Sequence, residues 1–298
     1  MTGSKEKIVV IGFGWVGQAN ALALTMMGHP VFYYDIVNPE KRYPNYEKAY
    51  EKIRPLNNAL EQDSENTWYL VCVGDRVDEK GNQDISLIKE ALGSVKSAKG
   101  RIILRSTVLP KHLQKLDFDF YVPEFLHEKH GVEECFHPYY LAIGARNNIL
   151  KPSFLKKWQG QANKVFEGTP EEASYIKYLS NIWNATRIAF VNEFGNAVQQ
   201  SSVNPDNILN FLFENRNYLR YGRSFRGHCL PKDISAFSAS HNNALFKAVL
   251  AVNTTHKAKE EGLPEWFSGW HYQSDISFSR LFKLLGQKIS SKFKKIFG

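Results

Sequence analysis

Only three cysteines occur in the 298 residues, Cys72, Cys135 and Cys229. Their number is odd and no two form a C-x-x-C pair, which excludes a disulfide framework and a cysteine-based zinc site, so no metal is expected. Unpaired thiols fit a reducing, cytoplasmic setting. No apolar run is long enough to cross a bilayer. The amino terminus has no signal-peptide core, because Met1 to Lys7 are mostly polar and Gly12, Gly14 and Gly17 interrupt the apolar stretch that follows. Internal repeats and low-complexity tracts are missing too. Acidic residues are absent from one stretch, between Ile276 and Gly298, where Arg280, Lys283, Lys288, Lys292, Lys294 and Lys295 stand. These six cations leave only +2 of the formal net charge of +8 for all other residues, which excludes a general basic surface for nucleic acid.

What is present is ordinary for a globular protein, 43% hydrophobic and 23% charged residues, at a length that suits two domains. From Lys7 to about Gly144, short apolar runs alternate with helix-compatible stretches. The runs are Ile8 to Ile11, Val31 to Tyr34, Trp68 to Val73, Arg101 to Arg105, Phe120 to Val122 and Leu141 to Ile143. Such alternation predicts an α/β domain, a doubly wound parallel sheet wrapped by helices, over residues 1–168. At Thr169 the pattern changes. Thr169 can cap, Pro170 suits the first helical position and Glu172 completes a capping box. Ile176, Leu179, Trp183, Phe190, Phe194 and Val198 then recur at helical spacing to about Gln200. Further helical regions run from Pro205 to Phe213 and from Asp233 to about Glu261, so residues 169–262 read as a helical domain and 263–298 as a linker and tail.

Gly12-Phe13-Gly14-Trp15-Val16-Gly17 matches G-x-G-x-x-G, directly after the apolar run Ile8 to Ile11 and before helix formers from Ala19 to Met27. Glycines there permit a tight turn and close approach of a pyrophosphate to unpaired helix N–H groups, with Trp15 and Val16 in that turn. Asp35 closes the next run, eighteen residues after Gly17. Its carboxylate would accept hydrogen bonds from a ribose 2′-hydroxyl and repel a 2′-phosphate, which favours NAD over NADP.

Cys229 stands in Gly227-His228-Cys229-Leu230-Pro231-Lys232-Asp233, with Arg226, His228 and Lys232 nearby to favour its thiolate. Alone, such a cysteine reads equally as a small buried hydrophobe. Lys177 and Asn181 are four apart and share a helix face. Glu124, Glu128 and Thr107, each taken alone, read as ordinary surface or strand-end residues.

Together these pieces change the reading. Through Gly12 to Gly17, Ser106-Thr107-Val108, Pro123 to Glu128, Lys177 to Asn181, Asn192-Glu193 and Cys229 to Asp233, the chain resembles the UDP-glucose/GDP-mannose dehydrogenases from about Lys7 to Lys257. The resemblance implies an NAD-dependent, four-electron oxidation of a sugar's primary alcohol to a carboxylate. It implies that Cys229 attacks the intermediate aldehyde, giving a thiohemiacetal and then a thioester that water releases. By the same comparison Lys177 and Asn181 support the oxyanion, Asp233 with Thr107 positions or activates water, Glu128 assists as acid or base, and Glu124 meets the substrate. A homodimer joined through the long helix is implied as well.

Three departures bear on the substrate. The family's second nucleotide-binding fold is expected to be missing, since the sequence ends about forty residues after the last shared helix. Arg223, Phe225, Arg226 and His228 replace a glycine-rich run, and Arg223 and Arg226 suit a phosphate. Gly74-Asp75-Arg76 replaces the usual Pro-Thr-Pro beside the cofactor. In the tail, Phe278, Leu281, Phe282, Leu285, Ile289, Phe293 and Ile296 fall on one helical stripe among the six cations, the pattern of a basic amphipathic helix on an anionic membrane face, or of a helix docked on protein. The expected substrate is therefore a nucleotide sugar such as UDP-glucose, or a sugar carried on a membrane lipid, oxidised on the cytoplasmic side. The alternatives are a catalytically degenerate NAD-binding scaffold at the membrane and a small hydroxyacid dehydrogenase, which would not need Cys229.

Overall fold

The computed structural model describes residues 6–147, 149–213, 219 and 221–260. Ten strands and ten α-helices are found among them. The strands are β1 (Lys7–Ile11), β2 (Val31–Tyr34), β3 (Arg54–Pro55), β4 (Thr67–Val71), β5 (Arg76–Val77), β6 (Gln83–Asp84), β7 (Arg101–Leu104), β8 (Phe120–Tyr121), β9 (Tyr140–Ala145) and β10 (Lys164–Gly168). The helices are α1 (Trp15–Met26), α2 (Glu47–Tyr50), α3 (Ser86–Ser94), α4 (Pro110–Leu113), α5 (Gly131–Phe136), α6 (Ser153–Gln161), α7 (Pro170–Gln199), α8 (Pro205–Leu212), α9 (Cys229–His241) and α10 (Ala244–Lys259).

Eight strands form one sheet in the order β10-β9-β8-β7-β4-β1-β2-β3, parallel throughout except where β8 meets β9. The chain winds outward from β1 in one direction through β2 and β3, then returns to the other side of β1 through β4. A crevice at the carboxyl ends of β1 and β4 is the usual consequence of such a reversal, and it is where dinucleotides bind in this Rossmann-type fold. Because side chains alternate along a strand, β1 feeds two layers. Ile8 and Val10 pack with α1, α5 and α6, whereas Val9 and Ile11 pack with α3, α4 and the start of α7. Burial on both faces explains why these strands read as continuous apolar runs.

The long helix begins as its sequence dictates. Glu172 N donates to Thr169 Oγ1 at 3.2 Å, and Thr169 N donates to Glu172 Oε2 at 2.8 Å, closing the capping box around Pro170. Tyr178, Ile182, Ala185, Ile188 and Ala189 pack with Phe225, Ile234, Ala236 and Val249 in a helical core between α7, α9 and α10. The continuous helical region expected from Asp233 is in fact two helices, and it starts four residues earlier. Asn242 takes a left-handed conformation, φ 49°, and Asn243 caps the next helix through Leu245 N at 3.0 Å. The tail beyond Glu260, with its expected amphipathic helix, lies outside the described residues. No helix among the described residues is long and apolar enough to cross a membrane.

Candidate active site

The glycine turn after β1 has the shape a dinucleotide requires. Gly12 has φ +86°, and a Cβ there would lie 2.9 Å from Val73 Cγ2. A Cβ on Gly17 would lie 2.0 Å from the Gly12 carbonyl oxygen, so only glycine lets α1 approach its own turn. Gly14, which caps α1, faces open space, and no acid stands in the first turn of that helix. The N–H groups at Trp15 and Val16 therefore head a helix with no acidic residue of its own in the first turn, which fits a pyrophosphate. Asp35 at the end of β2 holds the turn in place. Its Oδ2 accepts from Phe13 N at 2.5 Å and its Oδ1 from Val37 N at 3.1 Å. Gln18, fully buried in α1, fastens the same turn to the loop after β2. Its Nε2 donates to the Phe13 and Glu40 carbonyls at 2.7 and 2.8 Å.

Val73 connects this turn to the second half of the site. Its carbonyl accepts from Ser106 Oγ at 2.5 Å, which ties the loop after β4 to the loop after β7. Two residues on, Asp75 is buried and receives Lys232 Nζ on Oδ1 at 2.7 Å and Gln83 Nε2 on Oδ2 at 2.6 Å. Gln83 stands on the short hairpin of β5 and β6. It also donates to the Thr107 carbonyl and to Tyr178 Oη, both at 3.1 Å, and accepts from Leu109 N at 2.8 Å. Lys232 Nζ donates as well to Asp233 Oδ1 at 2.5 Å, and Asn181 Nδ2 donates to Asp233 Oδ2 at 2.5 Å. Asp233 is 1% exposed with both oxygens engaged, so it reaches a reactant through Asn181 or Lys232 rather than directly. Burial alone would lower the Lys232 pKa, but Asp233 and Asp75 outweigh it and raise the ammonium above the ordinary lysine value.

Cys229 is the first residue of α9 and opens to solvent, unlike Cys135, which is buried. Desolvation by the surrounding protein raises its thiol pKa, and the positive charge of Lys177 opposes that rise most strongly. Asp233 and Glu128 add to the rise, and Lys232 opposes it, so all four charges act on one sulfur. The amino end of α9 pulls in the same direction as Lys177, since a helix N-terminus favours an anion. Lys177 is nearly buried on α7 and sits over the Phe125 ring, 5.2 Å from its centroid.

The expected residues thus converge, with differences in depth. Lys177, Asn181, Cys229 and Asp233 meet where α7 faces α9. Thr107 lies half-buried beside them, contributing its carbonyl to Gln83, and Glu128 is exposed at the rim. Glu124 is buried, paired with Arg105 and 3.3 Å from Asn20 Nδ2. Arg226, expected to face an anionic ligand, instead turns to Glu260 at the end of α10, with Nε and Nη2 each 3.0 Å from Oε2. Arg223 follows a glycine of φ +83° and is held by its backbone. Asn192 Oδ1 accepts from Gly222 N at 2.9 Å, and its Nδ2 donates to the Arg223 carbonyl at 2.6 Å. Sequence reasoning placed Lys232 beside Cys229 but missed its tie to Asp75, and it missed Asp75 and Gln83 as site members. Gly74-Asp75-Arg76 signalled only a departure, and nothing marked Gln83, whose four partners come from three separate segments.

Residues 171–255 match the central domain of the UDP-glucose/GDP-mannose dehydrogenase family. The chain is 26% identical over 277 residues to the GDP-mannose 6-dehydrogenase of Pseudomonas aeruginosa, covering 78% of this chain and 63% of that protein. It is 29% identical to the UDP-glucose 6-dehydrogenase of Rickettsia bellii, covering 85% of this chain and 67% of the relative. Among solved structures, a UDP-glucose dehydrogenase from Pyrobaculum islandicum superposes with a TM-score of 0.76 at 26% identity, over 85% of this chain and 69% of that one. A UDP-D-ManNAc dehydrogenase from Pyrococcus horikoshii shares the fold, with a TM-score of 0.73 at 19% identity, over 86% of this chain and 70% of its own. The chain therefore spans somewhat less than two thirds of the length of its GDP-mannose 6-dehydrogenase relatives. Its doubly wound sheet, its matched central domain and these likenesses make the chain similar to the UDP-glucose/GDP-mannose dehydrogenases.

Proposed function

We propose that the chain is an NAD-dependent sugar 6-dehydrogenase, oxidising a hexose primary alcohol to a uronate through a thioester on Cys229. The observation that carries this is the meeting of α7 and α9, where Lys177, the Asn181–Asp233 pair and the Cys229 thiol gather beside a dinucleotide-shaped turn. Residues 1–168 hold the cofactor, with Gly12, Gly14, Trp15, Val16 and Gly17 cradling its pyrophosphate, Asp35 its ribose and Thr107 its reactive end. Residues 169–262 supply the lysine and the thiol. When bound, NAD would accept the hydride lost at each of two oxidations.

The chain's own groups divide the remaining work. The Cys229 thiolate adds to the aldehyde carbon, forming a C–S bond and an alkoxide that the Lys177 ammonium and the Asn181 amide stabilise. After the second oxidation, water adds to the thioester carbonyl, the C–S bond breaks and the thiol is restored. Thr107 and Glu128 border the space where that water enters, with Glu128 as acid or base. Glu124 acts from beneath, since it is buried. Arg223 and Arg226 are the candidates for an anionic substrate group, with Glu260 already balancing Arg226.

Relatives named for UDP-glucose and GDP-mannose favour a nucleotide sugar as substrate. The cationic, apolar-striped sequence from Ile276 to Gly298 favours a lipid-linked sugar reached on an anionic membrane face. Exposed Leu179, Trp183 and Phe190 on α7 favour a homodimer. The test measures NADH formed with UDP-glucose, GDP-mannose and lipid-linked hexose in anionic vesicles, for the full chain and for one ending at Glu260. Turnover of a nucleotide sugar by both proteins supports the first substrate. Turnover of the lipid-linked sugar by the full chain alone supports the second. NAD binding without turnover of any sugar points to a scaffold.

A further inference from the structure

The loop after β4 and the first turn of α9 are far apart in sequence, yet one lysine joins them. Lys232 Nζ bridges Asp75 Oδ1 at 2.7 Å and Asp233 Oδ1 at 2.5 Å. Each carboxylate is fixed on its second oxygen by an amide, Asp75 by Gln83 and Asp233 by Asn181. Both carboxylates are at least 95% buried, and every oxygen of the pair is engaged. The hairpin that carries Gln83 packs against the same helix. A Cβ on Gly81, at its tip, would lie 2.7 Å from both Ala239 Cβ and the Ser235 carbonyl of α9. At the other end of the bridge, Val73 touches Gly12, and Asp75 is two residues beyond Val73. An unbroken path of contacts therefore runs from the dinucleotide turn through Asp75 and Lys232 to Asp233, one turn of helix from Cys229.

From this geometry we infer that Asp75 is a positioning residue for the oxidation chemistry, acting through Lys232. It fixes the ammonium between two carboxylates, and so sets both the placement of Asp233–Asn181 relative to the dinucleotide turn and the field at the Cys229 sulfur. The inference rests on the proposed dehydrogenase reading for its rate predictions, and on the geometry of the bridge alone for its prediction about the thiol. Nothing on the path is a lone feature: two buried carboxylates, two amides and a largely buried ammonium satisfy one another.

The effect on the thiol has a definite sign. Asp75, Lys232 and Asp233 together carry one net negative charge. Exchanging Asp75 for asparagine keeps its size and one acceptor oxygen while removing that excess, so the thiolate of Cys229 becomes easier to form. A bridge also predicts that its two ends are not independent.

The experiment uses the full-length protein with the substitutions Asp75→Asn, Lys232→Met and both together. Iodoacetamide alkylation of Cys229, followed by mass spectrometry across pH, is expected to show the midpoint for Asp75→Asn moved downward and the rate at neutral pH raised severalfold. Acid formation from the sugar that wild type turns over is expected to fall about tenfold for either single substitution, as loss of a charged hydrogen bond implies. The double variant is expected to be no worse than the worse single, with NAD affinity within twofold of wild type throughout. An unchanged alkylation profile in Asp75→Asn overturns the inference, as do single effects that multiply in the double variant. If wild type turns over no sugar, the dehydrogenase reading fails and the alkylation profile still decides this one. If Asp75→Asn loses its fold by circular dichroism, Lys232→Met carries the alkylation test, with an expected upward shift of the midpoint.

Discussion

Asp35 gives a prediction in which two cofactors respond in opposite directions. Its carboxylate already accepts two backbone N–H groups, from Phe13 at 2.5 Å and Val37 at 3.1 Å, and it stands at the end of β2 where an adenosine ribose would lie. In Asp35→Ala the ribose loses at least one hydrogen bond to a charged acceptor, worth about 1.5–3 kcal/mol. At about 1.4 kcal/mol per decade that is a rise of roughly 10- to 100-fold in the NAD dissociation constant. A 2′-phosphate meets the reverse effect. Two like charges about 4 Å apart near a protein surface repel by up to roughly 4 kcal/mol, and the substitution removes that repulsion. NADP should therefore bind more tightly to Asp35→Ala than to wild type, while NAD binds more weakly. Isothermal titration with both cofactors at one ionic strength reads this directly. Equal weakening of both would mean that Asp35 only braces the glycine turn, and that the ribose lies elsewhere.

Other consequences of the geometry are equally open to measurement. Gly14→Ala should fold with a melting temperature near that of wild type, since its Cβ meets nothing, yet lose NAD affinity as the Cβ enters the pyrophosphate space. Gly17→Ala should lower the melting temperature as well, because its Cβ would sit 2.0 Å from the Gly12 carbonyl oxygen; differential scanning fluorimetry with and without NAD separates the two. The Cys229 thiol titrates above its ordinary value, chiefly through desolvation, so alkylation should quicken as pH rises into the alkaline range. Lys177→Met, which removes the main opposing charge, should push that midpoint higher still, and a downward shift would refute the role of Lys177. Phe190→Glu on the exposed side of α7 should abolish the proposed homodimer by light scattering, without lowering the melting temperature of the monomer by more than a few degrees.

Much of this was legible in the sequence because local chemistry fixes it. The strands that became β1 and β4 are buried on both faces, and β2 and β7 are buried over half their length, so they read as apolar runs. The capping box at Thr169 and the glycine turn are each encoded within a few residues. The strands β3, β5 and β6 are two residues long and carry no pattern of their own; pairing across the fold makes them strands. The break between α9 and α10 rests on the left-handed Asn242, a conformation that periodicity does not report. The candidate site divides in the same way. Lys177, Asn181 and Cys229 were visible as spaced motifs, whereas Asp75 and Gln83 gain their meaning only from partners as distant as Lys232 and Tyr178. Arg226 looked like a ligand for an anion because Glu260, its partner, lies thirty-four residues away.

The central claim, that Cys229 carries the second oxidation through a covalent intermediate, is tested most directly by Cys229→Ser with product analysis. A serine hydroxyl at this position lacks the nucleophilicity of a thiolate and leaves poorly from carbon, so the first oxidation should proceed while the second stalls. With the sugar that wild type converts, the variant should form aldehyde, trapped with a hydrazine and identified by mass spectrometry, with little or no uronate. Uronate formed at the wild-type rate by Cys229→Ser would contradict the account.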